Sequence, residues 1–407
     1  MISSFDKWRF GAIPGLLIHS SIGTVYCWSV LSGAVKDCMG GFSCEWAFSL
    51  AIFFLGISAA FLGPIVEKSV KTAALISASC FGLGMVIAGL ACSIHDPILF
   101  HIGYGVIMGI GLGIGYISPI KTLMLWFKNN KGLASGIAIS GFGLAKVLGG
   151  PGFSYFIRHF GISEMFIFHG IFYFLIMMLA VVFIRKPKDD THEISLNLTF
   201  KEWWSSIIGV FKLKKIWYYW LVFFLNITAG LAIISNEAVF FEYSGITMFG
   251  IGMAVSLCAI FNTLGRLGVS WFSDFLKNRG ILFGMITVLS LLSCLIGFTS
   301  PGAVSGVVLL CNAGYGAMFA IMPSALHDRY GMDGVSRIHG VILSAWAFAG
   351  LTGNQLAHLT IITDTHHSPR LIIFLVASIY LVASYISTKL WSSKTTNKIV
   401  KKGIKKR

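Results

Sequence analysis

The chain has 407 residues, of which 56% are hydrophobic and 12% charged. A water-soluble domain of this length does not carry that balance, so the solvent of the fold is lipid. The formal net charge of +15 would suit a nucleic-acid binder on a soluble surface, but the apolar runs and the placement of the cations exclude that class.

A backbone in hydrocarbon must satisfy its polar groups within its own segment, and about 20 apolar residues in a helix cross the core. Such runs stand at roughly 10–31, 46–66, 72–93, 98–124, 132–157, 165–184, 216–236, 247–272, 280–299, 302–324, 338–361 and 369–391. They predict an all-α membrane protein of twelve transmembrane helices. The first run follows Lys7 and Arg9, is too long for a signal-peptide core and lacks a small-residue cleavage site, so it is expected to remain as a helix. The long polar stretch 185–215 divides the chain into bundles 1–184 and 216–391, with a basic tail over 392–407. Within that linker Thr199 and Glu202 match a capping box. Phe200, Trp203, Trp204, Ile207, Ile208 and Phe211 follow at helical spacing, which predicts a short amphipathic helix on the inner membrane surface.

When the loops are assigned alternately to the two sides, the segments on the side of the N-terminus hold 25 of the 31 Lys and Arg, while the opposite loops hold Lys36, Arg158 and Arg370. That asymmetry predicts both termini in the cytoplasm. The tail Lys401, Lys402, Lys405, Lys406 and Arg407 then reads as a topology anchor that can touch anionic lipid. Six of the eight cysteines fall in apolar helices as small hydrophobes. Cys38 and Cys44 share the first outer loop and are expected as two free thiols, with pairing as the alternative in an oxidising compartment.

The loops after the second helix of each half have related chemistry. One reads GPIVEKSVK (Gly63 to Lys71) with Glu67 and Lys68, the other GVSWFSDFLKNR (Gly268 to Arg279) with Asp274 followed by Lys277 and Arg279. An acid at a helix end followed by cations in a tight turn can bond a neighbouring helix terminus and release it when two bundles rock. These loops resemble degenerate copies of the GxxxDRxGRR motif of the major facilitator superfamily, and the resemblance covers nearly the whole chain. GTVYCWSV (Gly23 to Val30), GIGYISP with WFKNNKGLASG (Gly113 to Gly136) and NTLGRLGVSWFSD (Asn262 to Asp274) resemble its oxalate/formate antiporter branch and the related monocarboxylate transporters.

Three cations lie inside predicted spans, namely Lys121, Lys146 and Arg266, and all 16 acids are expected in loops or near helix ends. Each buried charge costs about 3 kcal/mol at mid-bilayer on insertion scales, so an anionic ligand is the natural partner. Arg266 stands eight residues before Asp274, about 12 Å along a helix and hence near the midplane. Its planar fork can hold a carboxylate bidentately, and satisfaction by Asn262 and helix carbonyls is the structural alternative. The resemblance assigns an arginine at this place to carboxylate binding. Lys146 lies mid-helix in GFGLAKVLGGPG, where packing against a carbonyl competes with ligand binding. Lys121 stands near the inner edge, where snorkelling is the rival reading. Tyr26, Trp28, Tyr116, Asn226 and Tyr315 are polar neighbours that can close a cavity round a small acid or simply pack. His19 is a candidate proton carrier, and His169 is a second histidine within a span. The branch pairs its arginine with a lysine on the eleventh helix, whereas Trp346 stands at the approximate place here, which makes oxalate itself doubtful as cargo.

The glycine-rich GIGLGIGY segment lies inside an apolar helix, where Gly105, Gly109 and Gly113 permit close helix contact, and no Gly-Lys-Ser/Thr follows it. No zinc or nucleophile constellation stands out, so covalent chemistry and a cofactor find no support. The expectation is a monomeric secondary transporter of a small carboxylate such as pyruvate, lactate or formate, driven by proton symport or anion exchange. An exporter of hydrophobic or cationic compounds and a non-transporting sensor with the same anion pocket are the alternatives.

Overall fold

The computed structural model describes residues 4–187, 200–246, 248–331, 335–363 and 369–391. These residues are almost wholly helical, with no strand among them. The long helices are α1 (Phe5–Cys38), α2 (Glu45–Lys68), α3 (Val70–Ser93), α4 (Pro97–Trp126), α5 (Lys131–Phe160) and α6 (Ile162–Phe183). After the linker come α7 (Lys214–Ile234), α8 (Met248–Leu264 continuing to Ser270–Ser273), α9 (Gly280–Gly297), α10 (Pro301–Tyr330), α11 (Val335–Thr363) and α12 (Arg370–Ser387). Among the described residues, eleven stretches are long and apolar enough to cross a membrane. The remaining long helix, α11, carries the polar residues Thr352, Asn354 and Gln355 in its second half. The protein is a multi-pass integral membrane protein.

Helix starts follow local chemistry. Asp96 accepts from the amides of Ile98 and Leu99 ahead of Pro97, and Ser300 accepts from the Ala303 amide ahead of Pro301. Several helices outrun their apolar runs, because hydropathy sees only the lipid-facing and buried middle. The 302–324 run becomes Pro301–Tyr330, and the 10–31 run becomes Phe5–Cys38.

Pairings recur six helices apart. α1 packs on α5, α2 on α4 and α3 on α6, while α7 packs on α11, α8 on α10 and α9 on α12. Between the two sets, α2 lies along α11, and α5 lies along α8 and α10. The α2–α11 approach is backbone to backbone: a Cβ on Gly56 would lie 2.6 Å from both Ala347 N and Leu343 O. The expected glycine face of α4 packs on α2, where a Cβ on Gly113 would meet Leu55 O at 2.2 Å.

The linker helix spans Phe200–Phe211. Ile207 and Val210 are buried, Trp204 stacks on Phe61 of α2 at 5.4 Å, and Trp204 and Ile208 remain exposed. The Thr199 half of the proposed capping box, and the tail from 392 onward, lie outside the described residues. Cys38 and Cys44 are free thiols. Two irregularities bear on the site: α1 tightens to a 3₁₀ turn at Gly23–Cys27, and α8 widens to a π turn at Gly265–Val269. Such interruptions concentrate at functional positions.

Candidate functional site

Arg266 sits in the π turn of α8 and is 1% exposed. Its Nε donates to Asn262 Oδ1 at 2.7 Å and its Nη1 to the Ile139 carbonyl of α5 at 3.3 Å. The guanidinium lies over the rings of Phe319 and Phe142, at 5.4 and 5.9 Å from their centroids. Among the described residues no carboxylate forms an ion pair with it. A guanidinium has five N–H donors, and Asn262 and Ile139 engage two of its nitrogens.

Around it the two halves meet through aromatic side chains. The Tyr26 and Tyr315 hydroxyls hydrogen-bond at 2.7 Å between α1 and α10. Trp346 of α11 is 1% exposed, packs on Phe319 at 4.4 Å and on Tyr116 of α4 at 5.3 Å, and Phe142 stands beside both. The Tyr116 hydroxyl and the Trp346 Nε1 are buried with no hydrogen-bond partner among the described residues, and so is the Asn226 amide of α7. Orphaned buried donors of this kind cost free energy unless something fills them. A narrow cleft adjoins this group, lined by Tyr26, Phe142, Lys146, Asn262, Asn312 and Tyr315 among others. Trp28 is not part of it. Its Nε1 donates to Glu45 at 3.0 Å and its ring packs on Phe48, Phe100 and Tyr104 within the first half.

The expectation that no acid lies deep among the helices is overturned. Glu237 is 1% exposed, and its Oε2 takes a 2.6 Å ion pair from Lys146 while Oε1 accepts from Asn312 Nδ2 at 3.0 Å. The cause is local: α7 ends at Ile234, Ser235 and Asn236 turn, and the short helix Glu237–Tyr243 directs the carboxylate back among the helices. Lys146 is therefore counterbalanced within the protein rather than waiting for an anion. Lys121 likewise pairs with Glu67 Oε2, both nearly buried, so the snorkelling reading does not hold. His19 is fully buried between two backbone carbonyls, with Nδ1 against Ala138 and Nε2 3.0 Å from Tyr116. His169 donates to the Met165 carbonyl of its own helix.

At the end of α8 the Asp274 carboxylate accepts from the amides of Gly132 and Leu133, at 2.8 and 2.9 Å, at the start of α5. Arg279 bonds Asp274 at 2.5 Å and also reaches Asp328 of α10. Nearby, Lys131 Nζ lies 2.5 Å from His327 Nε2, and Ser135 Oγ donates to the Ala320 carbonyl at 2.7 Å. Lys68 and Lys277 are exposed, so the cation that joins this network is Arg279. The two loops are thus unlike in use, Glu67 neutralising Lys121 and Asp274 capping a helix of the other half.

The model of the Major Facilitator Superfamily matches residues 16–354. The chain belongs to the major facilitator superfamily. As a member, it is a transporter that handles a small molecule within a membrane, on the twelve-helix fold of that superfamily. Similar curated proteins include the oxalate:formate antiporter of Oxalobacter formigenes, 25% identical over 86% of this chain and 84% of that one. Apicoplast pyruvate carrier 1 of Toxoplasma gondii is 22% identical over 86% and 83%. Solved structures of similar fold include FucP in the outward conformation, with TM-score 0.63, 13% identity and coverage of 93% and 99%. The proton:xylose symporter XylE gives TM-score 0.67, 11% identity and coverage of 94% and 97%.

Within this facilitator, sequence reasoning missed Glu237, Asn312, Phe142, Phe319 and Asp328. Asn312, a lone amide in an apolar run, was a usable signal. Glu237 offered none, since it follows the apolar run and reads as loop.

Proposed function

We propose that the protein moves a small organic anion, a monocarboxylate such as pyruvate, lactate or formate, by alternating access, with Arg266 as its principal anchor. One observation carries this: a permanent cation, 1% exposed, with no carboxylate partner among the described residues, set beside aromatic side chains that join the two halves. Guanidinium–carboxylate pairing in such surroundings is short, bidentate and strong. Tyr26, Tyr315, Tyr116 and Trp346 supply hydroxyl and indole groups near the anion, and Asn262 orients the guanidinium. Likeness to an oxalate:formate antiporter and to a pyruvate carrier supports the carboxylate class. Proton symport or anion exchange closes the cycle, and the distribution of Lys and Arg supports cytoplasmic termini.

The test is uptake of labelled pyruvate, lactate and formate into proteoliposomes by wild type, Arg266→Ala and Arg266→Lys. Uptake by wild type that Arg266→Ala abolishes supports the assignment. Equal uptake by all three removes it, and ligand binding without flux selects the sensor reading. Export of hydrophobic or cationic compounds draws some support from Glu237, but Lys146 neutralises that carboxylate and Arg266, held by the cleft residue Asn262, leaves its surroundings net positive. Drug-dependent growth protection by the wild type would favour export.

A further inference from the structure

Lys146 lines the cleft, and Arg266 stands behind its Asn262 wall at a different height. Lys146 stands seven residues beyond Ile139, whose carbonyl receives Arg266, and so about 10 Å further along α5. Lys146 lines the same cleft as Tyr26, Tyr315 and Asn262, and Asn262 is the partner of Arg266. Two cations in tandem, one lining a cleft and one held by a residue of its wall, suit a ligand with a carboxylate at each end. Here the second cation already holds one, because Glu237 gives Lys146 one oxygen and Asn312 the other.

We infer that Glu237 is a resident carboxylate that fills the second anion subsite and restricts the cargo to singly charged acids. The inference rests on the monocarboxylate reading above and deepens it. A dicarboxylate bound to Arg266 would bring its second charge toward the Lys146–Glu237 pair. It would either meet Glu237 as a like charge or displace it, leaving a 1% exposed carboxylate without its cation. Rejection by a fixed like charge is a specificity device that needs no contact with the accepted substrate. Asn312 keeps Glu237 aimed at Lys146, since its amide donates to Oε1 while also donating to the Val308 carbonyl of its own helix. If the pair were only a bolt between α5 and the end of α7, its removal would loosen the protein without changing which charge of acid it takes.

The experiment measures inhibition of labelled pyruvate uptake in proteoliposomes by malonate, succinate and glutarate, each relative to unlabelled pyruvate in the same preparation. In the wild type the dicarboxylates inhibit weakly. Glu237→Gln is expected to strengthen at least one of them about tenfold relative to pyruvate, and Lys146→Gln combined with Glu237→Gln to lose that gain. An unchanged ratio in a Glu237→Gln protein that still takes up pyruvate overturns the inference. Where Glu237→Gln does not assemble, Glu237→Asp draws the charge back by one methylene. A relative gain of about threefold for a dicarboxylate then supports the inference, and no gain overturns it. Failure of the parent reading has a different signature, namely pyruvate uptake that Arg266→Ala leaves intact, and it overturns both.

Discussion

Asp274→Asn removes one charge from the junction where α8 caps α5, and its effect can be worked from the geometry. The carboxylate accepts two backbone amides of α5 at 2.8 and 2.9 Å and one Arg279 nitrogen at 2.5 Å. An asparagine keeps one acceptor oxygen, so it loses one amide bond, the attraction to the helix N-terminus and the ion pair. A helix cap contributes about 1 kcal/mol, and a partly exposed ion pair about another 1 kcal/mol. Only the cap crosses between the two halves, since Asp274 and Arg279 both belong to the second, so about 1 kcal/mol leaves the state closed at this end. That corresponds to about a 5-fold shift in the closed-to-open ratio. Ala320 is fully buried beneath this junction, and its carbonyl holds Ser135 of the other half. Ala320→Cys therefore makes a reporter thiol that a water-soluble maleimide reaches only when this end opens. Labelling measured by peptide-resolved mass spectrometry should quicken by about 5-fold when Asp274→Asn is added, because slow modification follows the open population. An unchanged labelling rate, in protein of unchanged melting temperature, would refute the view that Asp274 holds this end shut.

Three further outcomes are expected. Tyr26→Phe and Tyr315→Phe each break the same hydroxyl contact, so each should cost about 1 kcal/mol, seen as a several-fold change in transport KM, with the double variant little worse than either single one. Lys121→Met strands the buried Glu67 and should lower thermal stability by about 3 kcal/mol, whereas Lys121→Met with Glu67→Leu should recover most of it; equal melting of the two variants would contradict a neutralising pair. Cys44 lies between the first two spans, and burial, then the neighbouring Glu45, pushes its thiol up to about 11. A raised value means little thiolate at neutral pH, so iodoacetamide should modify Cys44 slowly at pH 7.5 and faster as pH climbs toward 11; pH-independent labelling would contradict this.

Much of this was legible in the sequence because lipid imposes a simple rule on it. Twelve apolar runs predict twelve helices, and a lone arginine in one of them had to have a reason to be there. Tyr26 and Tyr315 could be named as neighbours from their depth along the runs, Asn262 as a partner for Arg266 on the same helix, and Trp346 only through the resemblance to the antiporter branch. Depth does not specify direction, however, and Trp28 at nearly the same height as Tyr26 turns away toward Glu45. Partnerships across the fold were harder. Glu67 and Lys121 lie on different helices, as do Lys146 and Glu237, and no periodicity links them. Glu237 was the least readable of all, because a polar residue just past an apolar run looks solvated unless the chain bends back, and that bend depends on packing against α5 and α10.

The π turn of α8 has a consequence for how the helix is read along its length. A turn with one residue too many shifts everything beyond it by about 100° around the axis. Arg266 lies within that turn and Asp274 after it, so the angular phase between the anion anchor and the cap on α5 is set by a single surplus residue. Deleting one residue from Gly265–Val269 would leave composition and hydropathy almost untouched. It would nonetheless swing Asp274 round the axis, away from the amides of Gly132 and Leu133, while Arg266 stayed at its post.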